Sequence, residues 1–187
     1  SGILHSVATL MEPTSGNTGI CLAWVATVEG YNAVLTMPDT MSVESQNLLK
    51  AFGAKIILTP GAEGMKVALA KAEALRYATE GSVILGQFDN PANPAVHART
   101  TALEIWDDTN GEVNYFVAGV GTGGTVSGTG GALKKFNPGV KVVAVEPEAS
   151  AVISGEAAGP HKIQGIGAGF IPKNFDRDVV DDVVKVS

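Results

Sequence analysis

What most constrains the fold of this chain is an alternation in which short β-branched, apolar runs recur between longer segments of helical spacing. The runs are Ala33–Met37, Lys55–Thr59, Ser82–Leu85, Asn114–Ala118 and Val140–Val145, and their composition predicts buried strands. Between them Met65, Ala68, Leu69, Ala72 and Leu75 recur at helical intervals and line one side of a helix. Ser42 is placed to cap another helix, which carries Val43, Leu48, Leu49 and Phe52, and Gly53 suits the left-handed position that ends it. Parallel neighbours need a crossover connection, so this order predicts an α/β fold of doubly wound, mostly parallel sheets with helices on both faces. A Pro and Asn cluster, Asn90-Pro-Ala-Asn-Pro94, and Gly-rich turns near residues 16 and 123 argue for two sheets. The expected boundary lies near residue 92, between a part spanning 1–92 and a part spanning 93–187. After Glu146 the pattern loosens into Gly and Pro before a last β-like run, Val179–Val186.

Charge and composition narrow the function. Thirteen Lys and Arg against 19 Asp and Glu give a net charge of −6, and the basic residues form no stripe that would neutralise nucleic-acid phosphates. The longest apolar stretch, Ile20–Ala26, is too short to span a bilayer, and Ser1–Met11 has no basic start followed by an apolar run. A cytoplasmic location is therefore the default expectation. The single cysteine, Cys21, excludes an internal disulfide, and among Leu22, Ala23 and Val25 it reads as a small buried residue. His5, His97 and His161 have no metal-ligand spacing, so no metal site is expected, and His97 reads as the surface residue of a helix rather than a catalyst. The Gly-X-Ser-X-Gly elbow of hydrolases is absent.

Two strand-to-helix turns carry the chemical signal. Pro13-Thr-Ser-Gly-Asn-Thr-Gly19 lies between a predicted strand, Val7–Met11, and a predicted helix, Ile20–Val28. A helix start offers unpaired N–H groups and the positive end of the dipole, which favour an anion. Thr14, Ser15, Asn17 and Thr18 add side-chain donors there, more than a helix cap alone requires. The second turn, Gly119-Val-Gly-Thr-Gly-Gly-Thr125, opens a helix reaching Phe136 and is suited to cradle a phosphate. Gly119, Gly121 and Gly124 also match G-x-G-x-x-G, and Glu146 stands where a dinucleotide fold places its ribose-binding acid. A nicotinamide-dependent oxidoreductase is thus a rival reading of this loop. Glycine at this density costs backbone entropy with no evident packing return, which favours a ligand over an empty turn. Gln87-Phe-Asp-Asn-Pro91 follows a strand end, where ligands of α/β sheets collect, and the glycines at 165, 167 and 169 permit close approach to a planar group.

Four motifs, Pro13–Gly19, Gln87–Pro94, Gly119–Thr125 and Gly159–Pro172, together resemble in order and spacing the O-acetylserine sulfhydrylase (cysteine synthase) family of fold-type II pyridoxal-phosphate (PLP) enzymes. The resemblance covers essentially the whole chain. It implies a two-domain, tryptophan-synthase-β-like fold that is incomplete in both parts, with a mobile segment at about 33–75. It also implies β-replacement on PLP, making cysteine from O-acetylserine and sulfide. Thr14, Ser15, Asn17, Thr18 and Gln87 would grip the substrate carboxylate, and Asn17 would also bond the cofactor's ring hydroxyl. Gly121, Thr122, Gly123, Gly124 and Thr125 would hold the cofactor phosphate, which displaces the dinucleotide reading. Gly165 would line the far wall, and Met65 and Phe88 would face the cleft. As full-length protein the family implies a homodimer that docks the C-terminal tail of serine acetyltransferase. The family's Schiff-base lysine lies upstream of the first turn and its pyridine-bonding Ser lies beyond Ser187, so the chain is expected to be an internal piece without synthase activity alone. The remaining alternative is a non-catalytic, peptide-binding homologue.

Overall fold

A computed structural model gives the fold and describes residues 8–14 and 16–187. The expected strand over Val7–Met11 forms as β1 (Thr9–Pro13), with Val7 outside the described residues. It is followed by α1 (Asn17–Glu29), β2 (Asn32–Pro38), α2 (Val43–Ala51), β3 (Lys55–Thr59), α3 (Gly64–Ala78) and β4 (Ser82–Ile84). Then come α4 (Ala92–Arg99), α5 (Thr101–Asp108), β5 (Tyr115–Gly119), α6 (Gly124–Phe136), β6 (Lys141–Pro147) and β7 (Asp182–Val186). The chain divides into two compact units between Gly86 and Gln87. The cluster Asn90–Pro94 leads into α4, and Asn90 Oδ1 accepts the amide of Ala92 at 2.9 Å.

In the first unit every strand pair is parallel, in the order β3-β2-β1-β4. The path β1→β2→β3 moves steadily toward one edge, and right-handed crossovers put α1 and α2 on one face, where they pack together. The next crossover returns over the whole sheet, so α3 lies on the opposite face and contacts all four strands. Side chains alternate accordingly. Ala33, Leu35 and Met37 join Leu10, Leu22, Ala23, Ala26, Leu49 and Ala54 in one core. Thr36 points the other way and donates to the Ala68 carbonyl of α3 at 2.8 Å. Ala68 and Ala72 are buried, and their small side chains let α3 lie close to the sheet. Ser42 caps α2 as expected, accepting the amide of Ser45 at 3.2 Å, and Gly53 has φ +76°.

The second unit has the parallel order β5-β6-β7. Because β5→β6→β7 never reverses direction, its connections fall on one face, which α6 covers. Phe116, Ala118, Val142, Ala144 and Val183 turn to that side and pack with Val126 and Leu133 of α6. The expectation of helices on both faces is met in the first sheet, whereas Tyr115 and Val117 on the other side of the second are 69% and 58% exposed. Cys21 also departs from expectation, because it is exposed. The reason is that α1 is apolar on all sides: Gly19, Leu22, Ala23 and Ala26 face the sheet, which leaves Cys21, Trp24, Val25 and Val28 outward. Among the described residues no helix is long and apolar enough to cross a membrane.

Candidate active site

In the first unit β1 ends at Pro13 and α1 begins at Asn17, ahead of the expected Ile20. Gly16 occupies the N-cap position. Thr14 supplies the capping oxygen from outside the helix: its Oγ1 accepts the amides of Gly16 at 3.3 Å and Gly19 at 3.2 Å. A Cβ at Gly19 would stand 2.6 Å from Thr14 Cγ2, so glycine is required for this packing. Thr14 is buried and shapes the turn, whereas Asn17 and Thr18 stand exposed in the first turn of α1. That first turn contains no acidic residue, which leaves the positive helix end uncompensated and suited to a carboxylate. Ser15 lies outside the described residues. Beneath the turn, buried Glu12 accepts the amide of Gly86 at 2.8 Å and so fixes the end of β4 beside that of β1.

In the second unit the glycine-rich turn is hemmed in by protein. A Cβ on Gly121 would collide with the Gly165 carbonyl, one on Gly124 with the Asn93 side chain, and Gly123 has φ +82° with its α-carbon packed against Phe175. These glycines therefore do have a packing return, contrary to the expectation from composition, because three other segments approach the turn closely. What remains for a ligand is the donor set: backbone N–H groups at the start of α6, with Thr122 and Thr125 half-buried beside them. The first turn of α6 also lacks an acidic residue. Gly167 donates its amide to the Val120 carbonyl at 3.0 Å, which ties the Gly165–Gly169 loop to the turn. Gln87 is held through its carbonyl, which accepts Asn93 Nδ2 at 2.8 Å and Asn174 Nδ2 at 2.9 Å. The Phe88 ring packs edge-on against Phe170, with centroids 5.1 Å apart.

Residues 4–187 match the family described as pyridoxal-phosphate-dependent enzymes. The chain belongs to that family. A cysteine synthase of Staphylococcus aureus is 54% identical over 179 residues, which are 95% of this chain and 57% of that protein. Among solved structures, a cysteine synthase (OASS) from Entamoeba histolytica is 47% identical with TM-score 0.92, covering 100% of this chain and 55% of that one. A hydrogen sulfide-producing enzyme from Fusobacterium nucleatum is 43% identical with TM-score 0.95, covering 99% of this chain and 62% of that one. An O-ureido-L-serine synthase is 44% identical with TM-score 0.94, covering 100% and 59% respectively. The chain thus spans little more than half the length of these relatives.

The second turn fits the phosphate of the family's cofactor in the chemistry of its donors, since hydroxyl and amide groups face a helix start with no carboxylate nearby in sequence. Glu146, the acid of the dinucleotide reading, is 1% exposed and accepts the amides of Ile153 and Ser154 at 2.8 and 2.9 Å. It pins the 148–154 segment and is not presented to a ribose. Sequence reasoning missed three members of the turn's surroundings. Asn93 sat in a cluster read as a boundary, and Asn174 in a loop with no periodicity. His97 is half-buried instead of a plain surface residue: its Nδ1 is 2.9 Å from Thr101 Oγ1 and its Nε2 is 3.4 Å from Thr125 Oγ1. The four-residue spacing of His97 and Thr101 was the available signal, although the structure puts them at the end of α4 and the start of α5.

Proposed function

We propose that this chain serves a PLP-dependent β-replacement that makes L-cysteine from O-acetylserine and sulfide. The observation that carries the reading is the donor-lined Gly121–Thr125 turn at a helix start free of acidic residues, in a chain 54% identical to a cysteine synthase. In this reading the backbone of Gly121 and Gly123 and the hydroxyls of Thr122 and Thr125 hold the cofactor phosphate, with Gly124 beside them giving its amide to Thr122 Oγ1 and Gly165 packed behind. Thr14, Ser15, Asn17, Thr18 and Gln87 hold the substrate carboxylate on the turn that Thr14 also shapes, and Asn17 also bonds the cofactor's ring hydroxyl. Bound PLP supplies an electron sink for negative charge at the substrate α-carbon. The protein's share is orientation: two helix starts, each without a carboxylate, take the anionic groups of cofactor and substrate. Homodimer formation and docking of a serine acetyltransferase tail belong to the same reading.

Every lysine of the chain is exposed except Lys134, which is half-buried and paired with Asp181 at 2.8 Å. None of these lysines lies in either turn or in the Gln87–Pro94 motif, so this 187-residue polypeptide by itself is expected to make no cysteine. The phosphate reading is tested with pyridoxine 5′-phosphate, which has no aldehyde to react with surface lysines. At about 100 times its dissociation constant it should stabilise the chain by roughly 2.7 kcal/mol, seen as a higher melting temperature, while NAD gives no shift. Stabilisation by NAD alone would reverse the choice of cofactor. Cysteine formation from O-acetylserine, sulfide and added PLP would show that the polypeptide contains its own catalytic lysine after all.

A further inference from the structure

The Asn93 side chain, from α4, reaches the glycine-rich turn and donates through Nδ2 to two oxygens, the Gln87 carbonyl at 2.8 Å and Thr122 Oγ1 at 2.9 Å. The orientation of this amide is fixed by the network, because the Gln87 carbonyl can only accept and would repel Oδ1. Thr122 Oγ1 also accepts the amide of Gly124 at 3.3 Å. A hydroxyl has two acceptor positions and one proton. Both acceptor positions of Thr122 are taken by N–H groups of the protein, so the capacity left is donation of its proton.

Resting on the reading that this turn takes the PLP phosphate, we propose that Asn93 is a positioning residue that sets the polarity of the Thr122 hydroxyl, leaving it a donor only. The turn then selects an oxyanion with bare oxygens over a ligand whose facing group carries a hydrogen. A hydroxyl free to rotate could meet either kind of group and would spend part of its time turned away. Asn93 acts here through Thr122 and needs no contact with the ligand.

A double-mutant cycle on the 187-residue chain tests this, with inorganic phosphate as the probe and the amide signals of Gly121–Thr125 as the readout. Thr122→Val should weaken phosphate binding about tenfold, the loss of one hydrogen bond to a charged group. Asn93→Ala should weaken it several-fold in the unaltered background and by less than about twofold in the Thr122→Val background, since the group it acts through is gone. Losses that multiply in the double variant would overturn the inference and leave the phosphate reading standing. Absence of any phosphate-induced shift at these amides in the unaltered chain would overturn both. Thr122→Ser needs no change at Asn93 and so covers the case in which Asn93→Ala does not fold: it keeps the hydroxyl and both incoming donors and should hold phosphate within about twofold of the unaltered chain. A Ser variant as weak as Thr122→Val would also overturn the inference.

Discussion

Asp181 shows how much one side chain can tie together. Its carboxylate accepts Lys134 Nζ at 2.8 Å and the Val142 amide at 2.7 Å, with Lys141 Nζ 3.6 Å away, so it links α6, β6 and the start of β7. The Lys134 hydrogen bond first, and then the Val142 amide, hold its pKa at about 2, below the ordinary 3.8. A carboxyl with a lower pKa in the folded than in the unfolded chain adds stability above the unfolded value and loses it as pH falls through the folded one. Asp181→Asn should therefore lower the melting temperature at pH 7. The gap between the two proteins should then close as pH is taken from about 4 to 2. A gap that stays constant over that window would mean the carboxylate charge contributes nothing, as solvent screening does for many surface pairs.

At the scale of elements, α6 decides most, because it carries the turn at its start and is buried along nearly all its length. It crosses α4 so closely that a Cβ on Gly128 would fall on the Pro94 carbonyl, while one on Gly131 would meet Val179 Cγ2 at an ordinary 3.5 Å. Helix propensity alone favours alanine over glycine by roughly 1 kcal/mol at both positions. Overpacking costs about 1–3 kcal/mol and more where backbone is hit. Gly131→Ala should accordingly raise the unfolding free energy by about 0.5–1 kcal/mol, and Gly128→Ala should lower it by about 2 kcal/mol, both read from urea midpoints. Equal signs for the two substitutions would refute the account of the α4–α6 crossing. The strands and helices themselves were legible: β3 at Lys55–Thr59, the Ser42 cap and the α3 stripe all lie where their periodicity placed them. The buried face of α1 was not, because a helix with Cys21, Trp24 and Val25 on one side and Leu22 and Ala23 on the other offers no contrast to read.

At the scale of the molecule, each unit builds its own core: one gathers residues between Leu10 and Leu85, the other residues between Ala98 and Val183. Each also holds one of the chain's two tryptophans, Trp24 in α1 and Trp106 in α5, where it packs on Phe136 at 5.2 Å between ring centroids. Separate cores predict separate cooperative transitions. Trp24→Phe and Trp106→Phe variants, each with a single fluorescent reporter, should give different urea midpoints. Coincident midpoints would show one cooperative unit spanning Gly86 and Gln87.

Two things were settled by sequence alone: the strand–helix order, through β-branched runs and helical spacing, and the position of both strand-to-helix turns, through clusters of Gly, Thr and Asn at strand ends. These are local properties, written in residues within a turn or two of one another. Tertiary structure decided which groups the turns keep for a ligand. Thr14 Oγ1 takes two amides of its own turn, Glu146 pins a segment, and the Thr122 hydroxyl is oriented by Asn93, a residue far away in sequence. A hydrogen bond saturates its acceptor wherever along the chain its donor comes from, so the capacity left to a side chain appears only when its neighbours in space are known.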